Sequence, residues 1–481
     1  MQPLLHFKIE NGIFSIENKE YFFRGRMYNG KNVVGIVTEF NPFHEGHRYL
    51  MDSIRLRYGD CYIIAAMSGD FVQRGEPAIF DKYERCRDAL RNGVDMVVQI
   101  PEIFSTSSAE DFAAGGVATL RSLGMVDTLL FGSESGDMGA LLKVAELELG
   151  SGSENAMLNS AIRDNVAAGM SYAKARAEAI RLVLSGDDEK AFRHMLDDVC
   201  SGQKDENPSG TDRAEELAAS GRLKPNDILG IEYIKAVKRQ GDCFRIDCIR
   251  RNMKYESAHS IRDAIRSGED TERAGEDYAD VDMLSDMLSY RLLQLYYLDQ
   301  MEPEQPSAFL EYLDVSREIA DALKKQVHDR LSFSDRIKSI KSKNYTYTRI
   351  SRALLHILLD IHKKDSQVLR GRFFGEGDVM PYVRVLGVRK KSREMLGSIR
   401  STVVISPAKY KKQLEAVRRR ETIETTEDLI LSINASHAEI MFHQDMYAAD
   451  IYNQIYSPFS EGAGSSGSVN EFTQKFIVSD C

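Results

Sequence analysis

The chain is predicted to be an α/β protein, with a parallel, doubly wound sheet followed by a mainly helical, basic C-terminal region. Three observations carry that expectation. From Val33 to Gly132, short apolar runs alternate with longer amphipathic stretches. Glycines stand where the helices of such units end. Charge is segregated: Arg336 to Arg420 holds 22 Lys and Arg against 6 Asp and Glu, a net +16 in a chain that totals −10.

Taken in order, strands are expected at Val33–Phe40, Cys61–Ser68, Met96–Ile100 and Thr128–Phe131. Helices are expected between them at Glu45–Tyr58, Lys82–Asn92 and Ala109–Leu123, with Gly59, Gly93 and Gly124 at their C-caps. Such units stack into a parallel sheet with helices on both faces, and ligands sit beyond the carboxyl ends of its strands. Lys224-Pro225-Asn226-Asp227 opens a further helix, Ile228–Lys238, with Pro225 close to its first position and Asn226 or Asp227 able to cap. Phe244–Arg251 reads as another strand, and Ser257 to Arg262 begins the helix after it. Helical spacing dominates from about 280 to 365, and Tyr382–Val388 and Thr402–Ile405 are short β-like runs. The expected division is an N-terminal extension at 1–31, a ligand-binding α/β domain at 32–275 with a polar insertion at about 186–222, a helical region at 276–460, and a flexible tail at 461–481.

Composition narrows the class. At 43% hydrophobic and 28% charged, the chain reads as globular. No apolar run approaches the ~20 residues a bilayer requires, so no membrane partner is expected. The first residues alternate apolar and charged side chains, unlike a secretory leader. Six cysteines without CxxC spacing point to reduced thiols in the cytoplasm and to no metal site.

His44-Glu45-Gly46-His47 follows the first strand and opens the first helix, with Asn41-Pro42-Phe43 forming the turn. Unpaired N–H groups and the positive end of the helix dipole make that turn a phosphate site. Gly46 is expected to let a ligand approach the backbone. His44 and His47 are the candidate catalytic residues, because imidazole N–H groups can stabilise charge on a departing pyrophosphate. Their spacing is i, i+3, which is not the i, i+4 pair of a zinc protease helix.

Gly35-Ile-Val-Thr-Glu-Phe-Asn-Pro-Phe-His-Glu-Gly-His47 resembles the HxGH nucleotidyltransferases, and most closely the bacterial tRNA(Met) cytidine acetate ligases. Met67-Ser-Gly-Asp-Phe-Val-Gln-Arg-Gly-Glu-Pro77, Phe131-Gly-Ser-Glu134, Lys224-Pro-Asn-Asp-Ile-Leu-Gly230, Tyr345-Thr-Tyr-Thr-Arg349 and Pro381-Tyr-Val-Arg-Val-Leu-Gly387 are similar to further blocks of that family, in the same order. The resemblance implies a nucleotidyltransferase-type (HUP/Rossmann-like) domain. It also implies ATP as substrate, with Mg2+, and acetate activated as acetyl-adenylate. The acetyl group then passes to N4 of the wobble cytidine of elongator tRNA(Met). The implied ATP site comprises Val37, Thr38, Glu39, Phe40, Asn41, Pro42, Phe43, His44, Glu45, Gly46, His47, Arg48, Tyr49 and Leu50, with Gly132, Asn226 and Arg250. The first 26 residues and the insertion have no counterpart in the family. His259 replaces a hydroxyl residue, and the sequence around Arg250 diverges.

Further contacts are expected in the same crevice. Ser68 and Arg74 follow the second strand and suit the acetate or the triphosphate; Ser260 and Arg262 open a helix and suit phosphate. The basic segment suggests a tRNA surface at Lys341, Lys343, Arg349, Arg352, Lys390 and Lys391, where Tyr345 and Tyr347 could stack on unpaired bases. Two alternatives remain open at this stage. One is a small-molecule adenylyltransferase of the cofactor-precursor type, which has no use for the basic segment. The other is a non-catalytic RNA-binding protein on the same fold.

Overall fold

A computed structural model describes residues 28–170, 172–184, 189–190, 223–269, 277–342, 345–376, 378–418, 426–456 and 470–480, together with the strands at 7–10 and 13–16. The expected insertion lies almost wholly outside the described residues. In the stretch 1–31, β1 (Phe7–Glu10) and β2 (Ile13–Ile16) form an antiparallel pair.

Alternation of fully apolar strands with helices builds the main sheet. β3 (Val33–Thr38) leads to α1 (Glu45–Tyr58) and then to β4 (Tyr62–Ser68). A small hairpin, β5 (Phe71–Val72) and β6 (Glu76–Pro77), precedes α2 (Lys82–Arg91) and β7 (Met96–Ile100). The short α3 (Glu102–Ser105) and then α4 (Ala109–Leu123) lead to β8 (Thr128–Ser133). β9 (Arg245–Arg250) is reached through the helix Pro225–Arg239. The sheet order is β11-β10-β7-β4-β3-β8-β9, and β7 through β9 on that path run parallel. The chain steps outward from β3 to β7 and then crosses back to β8, so the reversal point lies at the carboxyl end of β3.

Both faces of the sheet are covered, as near-continuous apolar strands require. Val34, Ile36, Ile63, Ala65 and Val97 pack under α1 and α2, with Met51, Ile54, Cys86 and Leu90. Ile64, Ala66, Val98 and Leu129 face α4 and the helical region on the other side. The caps follow residue chemistry. Asp81 and Ser108 each accept the N–H three residues on, and Gly124 closes α4 in the left-handed conformation.

The sheet continues past residue 275. β10 (Tyr382–Arg389) pairs antiparallel with β7, and β11 (Thr402–Val404) and β12 (Ile477–Ser479) pair parallel with β10. Five helices between Ser285 and Phe373, and a long helix at Thr426–Tyr456, make up most of the remainder.

Residues 470–480, expected in a flexible tail, are instead locked into the fold. Glu471 is 4% exposed. It accepts from Tyr83 Oη at 2.8 Å and from Lys82 Nζ at 2.6 Å, and it pairs with Arg384. Lys82 also reaches Asp70 at 2.6 Å. The sequence hid this because one of the two carboxylates that the buried Lys82 uses, Glu471, lies 388 residues downstream of Tyr83.

Gly75 ties the crevice to the helical region. Its φ is +80°, and an added Cβ would lie 2.5 Å from the Arg352 backbone nitrogen. The Ser351 hydroxyl donates to the Gly75 carbonyl at 2.8 Å. Gly75→Ala is expected to cost about 2–4 kcal/mol, through left-handed strain and overpacking, as a lowered urea midpoint.

Candidate functional site

α1 begins at the reversal point of the sheet, and His44 is its N-cap. The His44 Nδ1 accepts the Gly46 N–H at 3.0 Å, and the His47 Nδ1 accepts the His44 N–H at 3.3 Å. The two rings lie 3.9 Å apart between centroids. Because each Nδ1 accepts from the backbone, each ring carries its proton on Nε2. Two imidazole N–H donors are thereby held by a reciprocal cap at the positive end of a helix.

Both rings are kept neutral. Burial, aided by Arg251 and Arg262, lowers the His44 pKa to about 4. Burial, with His44 and Arg251, holds His47 well below the ordinary imidazole range. The kcat/KM for ATP in pyrophosphate exchange, which reports the free site, is therefore expected to pass through pH 6.5 without an inflection from this pair, and to weaken only as pH approaches about 4. Folding draws stability from the depressed values above pH 6.5 and loses it as pH falls towards about 4.

The close approach that Gly46 was expected to give a ligand is made by the protein itself. An added Cβ would sit 2.7 Å from His44 Cε1, so Gly46 makes room for the folded-back ring. Phe40 (φ +48°) and Phe43 brace His47, at centroid distances of 4.9 and 5.5 Å. Val37 packs against Gly116 and Leu50 borders the core, whereas Thr38 ends β3. Glu39 accepts the Gln73 N–H at 2.9 Å, and Asn41, before the cis Pro42, accepts the Ile79 N–H at 2.8 Å. Glu45 and Arg48 are exposed and pair at 3.6 Å, and Tyr49 lies 5.8 Å from the Tyr255 ring.

The other expected residues divide. Gly132, the penultimate residue of β8, lies beside the site, and an added Cβ there would make only an ordinary 3.5 Å contact with Arg251. The protein's own packing therefore leaves room at Gly132. Asn226 does not face outward with a free amide; its Nδ2 donates to Glu134 at 2.8 Å, where Glu134 also accepts the Asp227 N–H. Arg250 is exposed beside Gly136, and its neighbour Arg251 is the cation that acts on both imidazoles. Ser68 is fully buried at the end of β4 with its hydroxyl unpartnered, while Arg74 is exposed. Arg262 is 8% exposed and donates to the Asn41 carbonyl at 2.7 Å, directly behind the His44 turn. Ser260 is exposed, and its N–H is taken by the Ser257 hydroxyl.

Two residues were missed. Arg251 was treated only as part of a divergent stretch. Arg85, within the expected helix, was given no role, yet it is 1% exposed. It donates to the carbonyls of Glu39 at 2.6 Å and Phe80 at 3.0 Å, and also to Gly69. It thus pins the loops after β3 and β4. Its place one residue before the apolar Cys86 and three after Lys82 gave no sequence signal of burial, which only the loop carbonyls show.

Of the expected RNA contacts, Lys341 and Arg349 are exposed, and Arg349 lies 5.0 Å over the Tyr345 ring. Arg352 is a correction: it is 9% exposed and bonded to Asp314 at 2.9 Å, because the Gly75 loop covers it. Tyr345 spends its hydroxyl on Ser316 and Glu318, each at 2.8 Å. Lys390 pairs with Asp480 at 3.1 Å and Lys391 with the buried Asp95 at 3.4 Å. Lys343 lies outside the described residues.

The profile of the HIGH nucleotidyl transferases matches residues 31–465. A tRNA(Met) cytidine acetate ligase of Caldanaerobacter subterraneus subsp. tengcongensis is 32% identical over 458 residues, covering 89% of this chain and 96% of that protein. One from a Thermoanaerobacter species is 30% identical over 455 residues, covering 88% and 95%. The crystal structure of Thermotoga maritima TmcAL bound with alpha-thio ATP superposes with a TM-score of 0.70 at 26% identity, over 93% of this chain and 99% of that one. The helix-capping histidine pair thus sits in a sheet and a sequence shared with these proteins over most of the chain, and the chain belongs to the HIGH nucleotidyl transferases and, among them, to the tRNA(Met) cytidine acetate ligase family.

Proposed function

We propose that the chain is an ATP-dependent acetate ligase that forms acetyl-adenylate and acetylates N4 of the wobble cytidine of elongator tRNA(Met). The observation that carries this reading is the pair of neutral imidazoles, each with Nε2–H free to donate, at the N-terminus of α1. In the first step an acetate oxygen attacks the α-phosphorus, the bond to the β-phosphate breaks, and pyrophosphate leaves. Nε2–H donors and first-turn N–H groups receive the charge that develops on the leaving oxygens. Arg251 and Arg262 add a positive field that needs no proton transfer from the rings. In the second step the cytidine amine attacks the acetyl carbon, AMP departs, and the nitrogen gives up one proton.

Gly132 gives nucleotide access beside this turn. Among the described residues no group of three or more His, Cys, Asp or Glu forms a metal cage. Mg2+ would be carried on the triphosphate oxygens, where it would neutralise charge on the leaving pyrophosphate. No helix among the described residues is long and apolar enough to cross a membrane.

The test is incubation of the protein with ATP, labelled acetate and total tRNA, followed by location of the label. Label on N4-acetylcytidine is the expected result. Acetate-independent pyrophosphate release, or label absent from tRNA, would return the reading to a small-molecule adenylyltransferase or to a non-catalytic RNA binder.

A further inference from the structure

Helix α2 and the segment that leads into β12 flank a cavity of ≈600 Å³. Arg87 and Arg91 line it from α2, and Lys475 lines it from the opposite side. All three are exposed, and no lining residue is acidic. Arg87 and Lys475 have no ion-pair partner among the described residues. Arg91 has a neighbour in Asp88 at 3.6 Å, but the Arg91 side chain is 63% exposed, and such pairs contribute little.

The cavity sits on the α1 side of the sheet. Ile477 of β12 packs against the cluster that holds Met51 and Ile54 of α1 and Cys86 of α2. β10, the strand that β12 pairs with, leads into Lys390 and Lys391, but these are matched by Asp480 and Asp95, so the groove's positive charge rests on Arg87, Arg91 and Lys475. β12 lies on an edge of the sheet, and its extended backbone forms the cavity floor.

A small free anion favours a closed site with buried donors. Exposed cations spaced one helical turn apart, with no carboxylate in the lining itself and only Asp88 beside Arg91, suit an extended polyanion held by several weak contacts. The lining offers little aromatic surface for base stacking beyond the half-buried Phe476, so the contact is with backbone rather than base. We propose that this groove holds the sugar–phosphate backbone of the RNA substrate; the proposal rests on the tRNA reading above and extends its footprint to α2 and β12.

The experiment compares wild type with the double variant Arg87→Gln, Lys475→Gln, using purified tRNA at several salt concentrations. The variant is expected to bind tRNA about tenfold more weakly, with the log–log salt slope reduced by about two, while acetate-dependent ATP–pyrophosphate exchange is unchanged. An unaltered tRNA affinity and slope would overturn the groove and leave the ligase intact. A wild-type protein that acetylates no tRNA would instead remove the functional reading beneath it. A second measurement needs no substitution: tRNA shields Lys475 from an amine-reactive label in the wild-type protein. Equal labelling with and without tRNA would overturn the proposal.

Discussion

His47→Ala is expected to lower acetate-dependent ATP–pyrophosphate exchange by about 10²–10³-fold, the usual cost of removing one donor to developing charge. The ring is not a proton shuttle, because burial keeps it neutral. What disappears is a fixed Nε2–H dipole. The substitution also strips an acceptor from the His44 N–H, so a stability loss of about 1 kcal/mol accompanies it. His44→Asn separates the two effects. Asn still caps the Gly46 N–H but reaches less far, so exchange should collapse while the thermal midpoint holds to within a few degrees. Wild-type exchange in both variants would remove the histidines from the reaction.

Glu471→Gln is expected to destabilise the protein by about 3–5 kcal/mol, although Glu471 lies far along the chain from every candidate site residue. The substitution removes one negative charge from a site where Lys82 and Arg384 are both buried. Burial works against the carboxylate, yet Lys82 and Arg384 overcome it and hold the pKa at about 2, against an ordinary 4.5. A depressed acid contributes stability above its ordinary value and loses it as pH falls towards the folded one. The gap between wild type and variant in urea midpoint should therefore be full at neutral pH and close progressively from pH 4.5 towards about 2. A pH-independent gap would show that packing, not charge, is what Glu471 supplies.

Much of this architecture was legible in the residues. α1 and α4 begin and end where apolar periodicity and capping glycines put them, and β7 spans the expected Met96–Ile100. The histidine turn was readable because its chemistry is local: cap, glycine and ring lie within four positions. What escaped was non-local. Tyr382 to Arg389 reads as β-like, but nothing in its alternation says that it joins β7 antiparallel rather than a second sheet. Arg352 and Arg349 look alike in a basic run, and only the approach of Gly75 decides which is buried. Arg85 and Lys82 resemble solvated helix positions until their carbonyl and carboxylate partners arrive from other loops.

The bond between Tyr83 and Glu471 spans 388 residues. At a translation rate of ~5–20 residues per second, roughly 20–80 s pass between the emergence of Lys82 from the ribosome and that of the acid that completes its neutralisation. During that interval the nascent polypeptide carries a half-matched ammonium beneath an open sheet edge. Unpaired strand edges and unmatched charge in such a species favour association over folding until the C-terminal segment arrives.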